Sequence, residues 1–101
     1  MAKLRLPLIA LGAAATLMAG AAQAEVTHGQ LMASTCFACH GDQGMSPGTI
    51  PSIGDHSKQQ LVEQMQAFKA GERMSTVMDR HAKGYTDEEI EAIAEYISGL
   101  N

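Results

Sequence analysis

The chain reads as an all-α fold with three principal helices, and three observations lead there. No segment shows the apolar–polar alternation of a strand. Two segments open with a helix-capping box, and stretches rich in Gly and Pro separate the apolar-periodic ones. The third observation is a shortage. A chain of 101 residues makes one domain at most, and one this small struggles to bury enough apolar surface to fold alone. Its aromatics are Phe37, Phe68, Tyr85 and Tyr96, with no Trp, too few for a core. The helices must therefore close around something the chain does not itself provide. Length and pattern exclude a multidomain enzyme, a dinucleotide-binding βαβ unit and a low-complexity polymer. A formal net charge of −4 argues against nucleic acid, whose phosphates call for clustered Lys and Arg.

The N-terminal segment has the pattern of an export leader. Lys3 and Arg5 form a short basic region, residues 6–22 are almost uninterruptedly Leu, Ile, Ala, Gly and Met, and Ala22-Gln23-Ala24 is a small-x-small cleavage site. A retained membrane anchor is the competing reading. The run is rich in Ala and Gly, barely long enough to span, and followed by no basic stop-transfer residues. The expectation is a cleaved signal peptide over residues 1–24, an exported, periplasmic domain over residues 25–101, and no stable membrane insertion. Losing Lys3 and Arg5 leaves that domain more acidic than the whole chain.

The first helix is expected over about residues 26–37, with Cys36, Cys39 and His40 delivered at its C-terminal end. A Cys-x-x-Cys pair in an exported chain can be a disulfide or a thioredoxin-like redox pair. With an adjacent His it can begin a zinc site. The redox reading lacks a preceding strand, and the zinc reading lacks a fourth good ligand at matching spacing. Cys36-Phe37-Ala38-Cys39-His40 is instead the attachment signature of c-type haem. Two thiols one helical turn apart can add across the two vinyl groups, and the adjacent His reaches the iron from the same side. One covalently attached haem c then supplies the missing apolar body.

Residues 41–54, punctuated by Gly41, Gly44, Pro47, Gly48, Pro51 and Gly54, read as a loop. Ser57 and Gln60 form a capping box for a second helix that carries Leu61, Val62, Met65 and Phe68 on one face and stops at Gly71. Residues 72–85 read as another loop. The last helix is the best signalled. Thr86 caps it, Glu89 closes the box, Tyr85 can staple onto Ile90, and Asp87 and Glu88 suit the positive end of its dipole. Ile90, Ile93, Ala94 and Ile97 make its buried stripe, with Tyr96 at the edge.

These residues together resemble a class I cytochrome c over essentially all of residues 25–101. The resemblance rests on Gly29-Gln30-Leu31 before the C-F-A-C-H-G run, Ile50-Pro51-Ser52-Ile53-Gly54, Phe68-Lys69-Ala70-Gly71-Glu72-Arg73, Thr76-Val77-Met78, and the run from Lys83 to Ile90. The last two blocks are similar to the cytochrome subunit of flavocytochrome c sulfide dehydrogenases and to one half of related periplasmic dihaem cytochromes. One C-x-x-C-H excludes a full-length match to the latter. The resemblance implies His40 as the proximal iron ligand, with the Pro51 carbonyl accepting a hydrogen bond from its other ring nitrogen, and Pro51 and Ile53 in the haem pocket. It implies Met78 as the sixth ligand, with Met74 the near rival. Met65 lies on the apparent core stripe and Met45 in the haem-binding loop, and Met is more often a gap filler than a ligand. His28, His56 and His81 are ordinary surface or loop residues unless they ligate. The resemblance also assigns Gly29 to a close approach by Tyr96.

His/Met ligation favours ferrous iron and leaves no open site, which points to electron transfer rather than oxygen chemistry. The partners expected are redox proteins. The chain is then either a free carrier or the haem subunit of a sulfide-oxidising flavoprotein complex. A haem enzyme or gas sensor with a labile sixth ligand is the alternative from another class. Arg73, Arg80 and Lys83 around Met78 read equally as a rim that steers an acidic partner and as a normally solvated loop.

Overall fold

The computed structural model describes residues 2–3 and 25–101. The expected leader over residues 1–24, with its apolar run and cleavage site, lies outside the described residues apart from Ala2 and Lys3. The described residues hold four helices and no strand: α1 His28–His40, α2 Lys58–Lys69, α3 Met78–Lys83 and α4 Asp87–Ser98. None of them is long and apolar enough to cross a membrane.

Helix α1 begins two residues later than its pattern suggests, because the Thr27 side chain caps it by accepting from the Gln30 N–H. It also runs on through the whole Cys-x-x-Cys-His segment, so both thiols and His40 sit on the helix itself. Gly41 ends it at φ +88°, a conformation open to glycine and strained for other residues. The loop that follows contains a single 3-10 turn, Asp42–Gly44. The Gly44 carbonyl accepts from both the Ile53 and Gly54 N–H groups, at 2.8 and 2.9 Å. These bonds fold residues 45–54 back beneath the end of α1.

The two capping boxes form as the sequence implies. Gln60 N–H donates to Ser57 Oγ at 3.1 Å, and the Ser57 N–H donates to Gln60 Oε1 at 2.9 Å. Thr86 and Glu89 repeat the arrangement at the start of α4, also at 3.1 and 2.9 Å. Each box satisfies two backbone donors that a helix start would otherwise leave orphaned. By contrast, residues 72–85 are not wholly loop, since α3 occupies their second half. No side chain of its N-cap residue, Val77, caps it, and Ala82 is its one buried residue. So short a helix is marginal without outside support.

Helix α4 packs against both α1 and α2, and α3 against α2. The core lies where Met32 and Ala33 of α1, Leu61 of α2, and Ile93, Ala94 and Ile97 of α4 meet. Tyr85 and Tyr96 pack at its edge, half-buried. Gly29 is buried at the α1–α4 crossing, and its nearest neighbour there is Ala92, one turn before Tyr96 on α4. A Cβ at Gly29 would lie 2.6 Å from the Ala92 carbonyl oxygen, and its three nearest atoms would all belong to Ala92. The close approach is thus between helix backbones, which cannot swing aside as a Tyr ring can. We expect Gly29→Ala to lower stability by about 2 kcal/mol, the overpacking outweighing alanine's better helix propensity. Denaturant unfolding of the haem-loaded protein checks this, and a variant as stable as the parent would refute the tight crossing.

Candidate functional site

The helices and the two connecting loops enclose an open cleft of about 700 Å³, counting the part continuous with solvent. Ile90, Ile93, Ala94 and Ile97 of α4 form one apolar wall, and Leu61, Gln64, Met65 and Phe68 of α2 form another. His40 reaches the cleft from the last turn of α1, and Pro51 and Ile53 from the loop after it. Met78 enters from the first residue of α3, not from a loop preceding a helix. His40, Pro51, Ile53 and Met78 are thereby brought to one site.

His40 is buried, and its Nδ1–H donates to the Pro51 carbonyl at 2.6 Å. A carbonyl only accepts, so this bond fixes the tautomer and leaves Nε2 as the nitrogen able to bind a metal. Cys36 and Cys39 stand one turn apart on α1, Cys36 half-buried and Cys39 exposed. Burial pushes the Cys36 thiol up, with the neighbouring Cys39 adding to the effect and a hydrogen bond from Thr35 opposing it. No group of three or more His, Cys, Asp and Glu able to hold a metal ion by themselves occurs among the described residues.

Met74, the rival to Met78, is 98 % exposed and takes no part in the cleft. Met65 does line it, so a second thioether borders the site from what looked like a core stripe. His56, expected as a surface residue, also borders the cleft, and its Nδ1–H donates to Asp55 at 2.9 Å. Arg73 lines it too, with its guanidinium 4.8 Å from the centre of the Phe68 ring. The spacing of Leu61, Met65 and Phe68 carried a signal for Met65. Arg73 reads from the sequence as part of a charged rim or a solvated loop around Met78, and nothing local shows that it or His56 borders the cleft. His81 is exposed and outside the cleft, and His28 sits 3.3 Å from Glu89 at the N-terminal ends of α1 and α4.

A cleft with apolar walls and a tautomer-locked His, with two cysteines one turn apart on the same helix just before that His, fits a flat, apolar macrocycle bearing one metal. The comparisons agree. A pattern described as cytochrome c matches residues 26–101. The chain belongs to the cytochrome c family. It is 47% identical over 75 residues to the cytochrome subunit of sulfide dehydrogenase from Chlorobaculum tepidum, covering 74% of this chain and 68% of that one. It is 36% identical over 67 residues to cytochrome c-553 from Helicobacter pylori strain J99, covering 64% of this chain and 70% of that one. It is 35% identical over 69 residues to a thiosulfate dehydrogenase electron acceptor from Stutzerimonas stutzeri, covering 64% of this chain but only 32% of that longer protein. The cofactor of this cytochrome is haem c, covalently attached.

One clamp bears directly on the segment that carries Met78. Lys69, at the end of α2, donates from Nζ to the Tyr85 carbonyl at 2.8 Å and to Asp87 Oδ1 at 3.0 Å. Gln66 donates to the same Asp87 oxygen at 3.1 Å. The bonds from Lys69 and Gln66 hold the Asp87 carboxyl below its ordinary value of 3.8. A carboxyl lowered in the folded state stabilises it above the ordinary value, and that contribution is lost as pH falls through the lowered one. Asp87→Asn should accordingly flatten the loss of thermal stability on acidification below pH 3.8. Melting curves of the parent and variant across that range test it, and parallel pH profiles would count against the clamp.

Proposed function

We propose that this cytochrome is a single-electron carrier of the periplasm, with His40 and Met78 as axial ligands of the haem iron and Cys36 and Cys39 as its covalent anchors. The observation that carries the reading is that His40 and Met78 border one apolar cleft beside the Cys36–Cys39 turn. When bound, the haem supplies a one-electron Fe(III)/Fe(II) couple. The chain's own residues set its character. Pro51 orients the His40 ring and raises its basicity through the Nδ1 bond. The Met78 thioether is a weak donor that favours the ferrous state and raises the potential. The α2 and α4 walls exclude water, which penalises the more highly charged ferric site in the same direction.

A second reading is favoured by one specific observation, the 47% identity to a cytochrome subunit of sulfide dehydrogenase. In it the chain is the haem subunit of a flavoprotein complex, taking electrons from flavin. The export pattern in residues 1–24 supports a periplasmic setting for either.

Met78→Ala should lower the potential and open the iron to carbon monoxide in the ferrous state and cyanide in the ferric state, while Met74→Ala and Met65→Ala leave it closed. An iron that stays closed in Met78→Ala would overturn the assignment. An untreated parent that binds carbon monoxide would support a sensor or enzyme instead. Size-exclusion chromatography of native extract, followed at haem and flavin absorbances, separates the two settings. Haem eluting alone at the size of a small globule is the result for a free carrier, and co-elution with flavin in a much larger species is the result for the dehydrogenase subunit.

A further inference from the structure

We propose that Ser75 is a positioning residue for Met78, and that its reciprocal pair with Asp79 governs how often the thioether leaves the iron. The inference rests on Met78 being the sixth ligand. The Asp79 N–H donates to Ser75 Oγ at 3.0 Å, and the Ser75 hydroxyl donates to Asp79 Oδ1 at 3.0 Å. The two bonds close a ring around Thr76, Val77 and Met78, with the thioether-bearing residue inside it.

The ring matters because little else holds this stretch. Residues 70–77 are all exposed, and α3 is a six-residue helix whose N-cap residue, Val77, contributes no side-chain bond. The Asp79 N–H, one of its early backbone donors, would face only water without Ser75. Arg80 and His81 N–H both turn back to the Val77 carbonyl, at 3.0 and 3.2 Å, so the first turn is tight but anchored on Val77 alone. Ala82 is the helix's buried contact with the rest of the molecule. A segment with few buried contacts opens locally well below the cost of global unfolding. In such a segment two hydrogen bonds that fix the start of α3 form a large share of what keeps Met78 in place. The arrangement resembles a capping box in its reciprocity, but it joins the fourth residue on rather than the third and so encloses Met78.

Ligand entry to a six-coordinate ferric haem requires the thioether to leave first. At saturating imidazole the binding rate therefore reads the release rate of Met78, a quantity separate from global stability. In the haem-loaded protein, Ser75→Ala should raise that limiting rate about tenfold, which is the size of effect expected for losing two exposed hydrogen bonds. Ser75→Thr, which keeps the hydroxyl, should return it to within about twofold of the parent. Asp79→Ala, which keeps the backbone bond and loses the carboxylate one, should fall between. Denaturant unfolding of the same proteins should show Ser75→Ala still folded under the assay conditions.

An unchanged limiting rate in Ser75→Ala, or a Ser75→Thr protein as fast as Ser75→Ala, would overturn the positioning role. Met78→Ala measured alongside separates the two levels. If Met78→Ala binds imidazole without a release step while Ser75→Ala matches the parent, only this inference fails. If Met78→Ala binds no faster than the parent, the ligand assignment fails and this inference with it.

Discussion

The crossing of α1 over α4 at Gly29 and Ala92 is the contact on which the rest of the molecule depends. It sets the distance between two helices that do different things for the haem. Helix α4 contributes the apolar wall of Ile90, Ile93, Ala94 and Ile97. Helix α1 brings His40 to the cleft on its last turn, with Cys36 packed against the core and Cys39 exposed just before it. Because α1 continues unbroken through the attachment segment, the crossing angle at its start is carried as a rigid lever to the thiols at its end. The Gly44 and Pro51 bonds then fix the loop beyond α1 to the same frame, so that the His40 ring is oriented by backbone groups rather than by mobile side chains.

The side of the cleft that carries Met78 is built on another principle. Its supporting segment is exposed over residues 70–77, is clamped at its far end by Lys69 on Tyr85 and Asp87, and is pinned locally by Ser75 on Asp79. These are polar contacts near solvent, each of modest strength. The proximal side is thus held by packing and buried hydrogen bonds, and the distal side by surface ones. Such an asymmetry places the softest part of the structure around Met78, the ligand proposed for the weaker side of the iron.

What was legible in the sequence follows the same division. Capping boxes are local, made by side chains three residues apart, so Ser57–Gln60 and Thr86–Glu89 could be read directly and both form. The α4 stripe is equally local, and its four apolar residues are buried as the periodicity implies. The Cys-x-x-Cys-His run named the cofactor because its chemistry is carried within five consecutive residues. Helix α3 escaped notice since Met-Asp-Arg-His-Ala-Lys has no capping residue at Val77 and no apolar stripe, its real support lying at Ser75. Gly29 was legible as a close-approach residue, but the backbone at Ala92 that lies against it was not, because a pattern of side chains says nothing about which backbone passes nearest. His56 borders the cleft through tertiary placement that no motif announces, and Arg73, read from the sequence only as a charge near Met78, lies in the cleft lining over the Phe68 ring.

The α1–α4 contact joins the first and last helices of the described domain, so nearly the whole chain must be gathered in before it can form. Contacts between such distant parts of a chain are the slow ones, since the entropy of closing the intervening loop comes due before any packing compensates it. A polypeptide emerges from synthesis with its N-terminal part first. The two thiols therefore exist in an unenclosed segment for as long as α4 has not arrived. On the proposed attachment, that interval is when both sulfurs are equally accessible, before packing half-buries Cys36 and leaves Cys39 exposed.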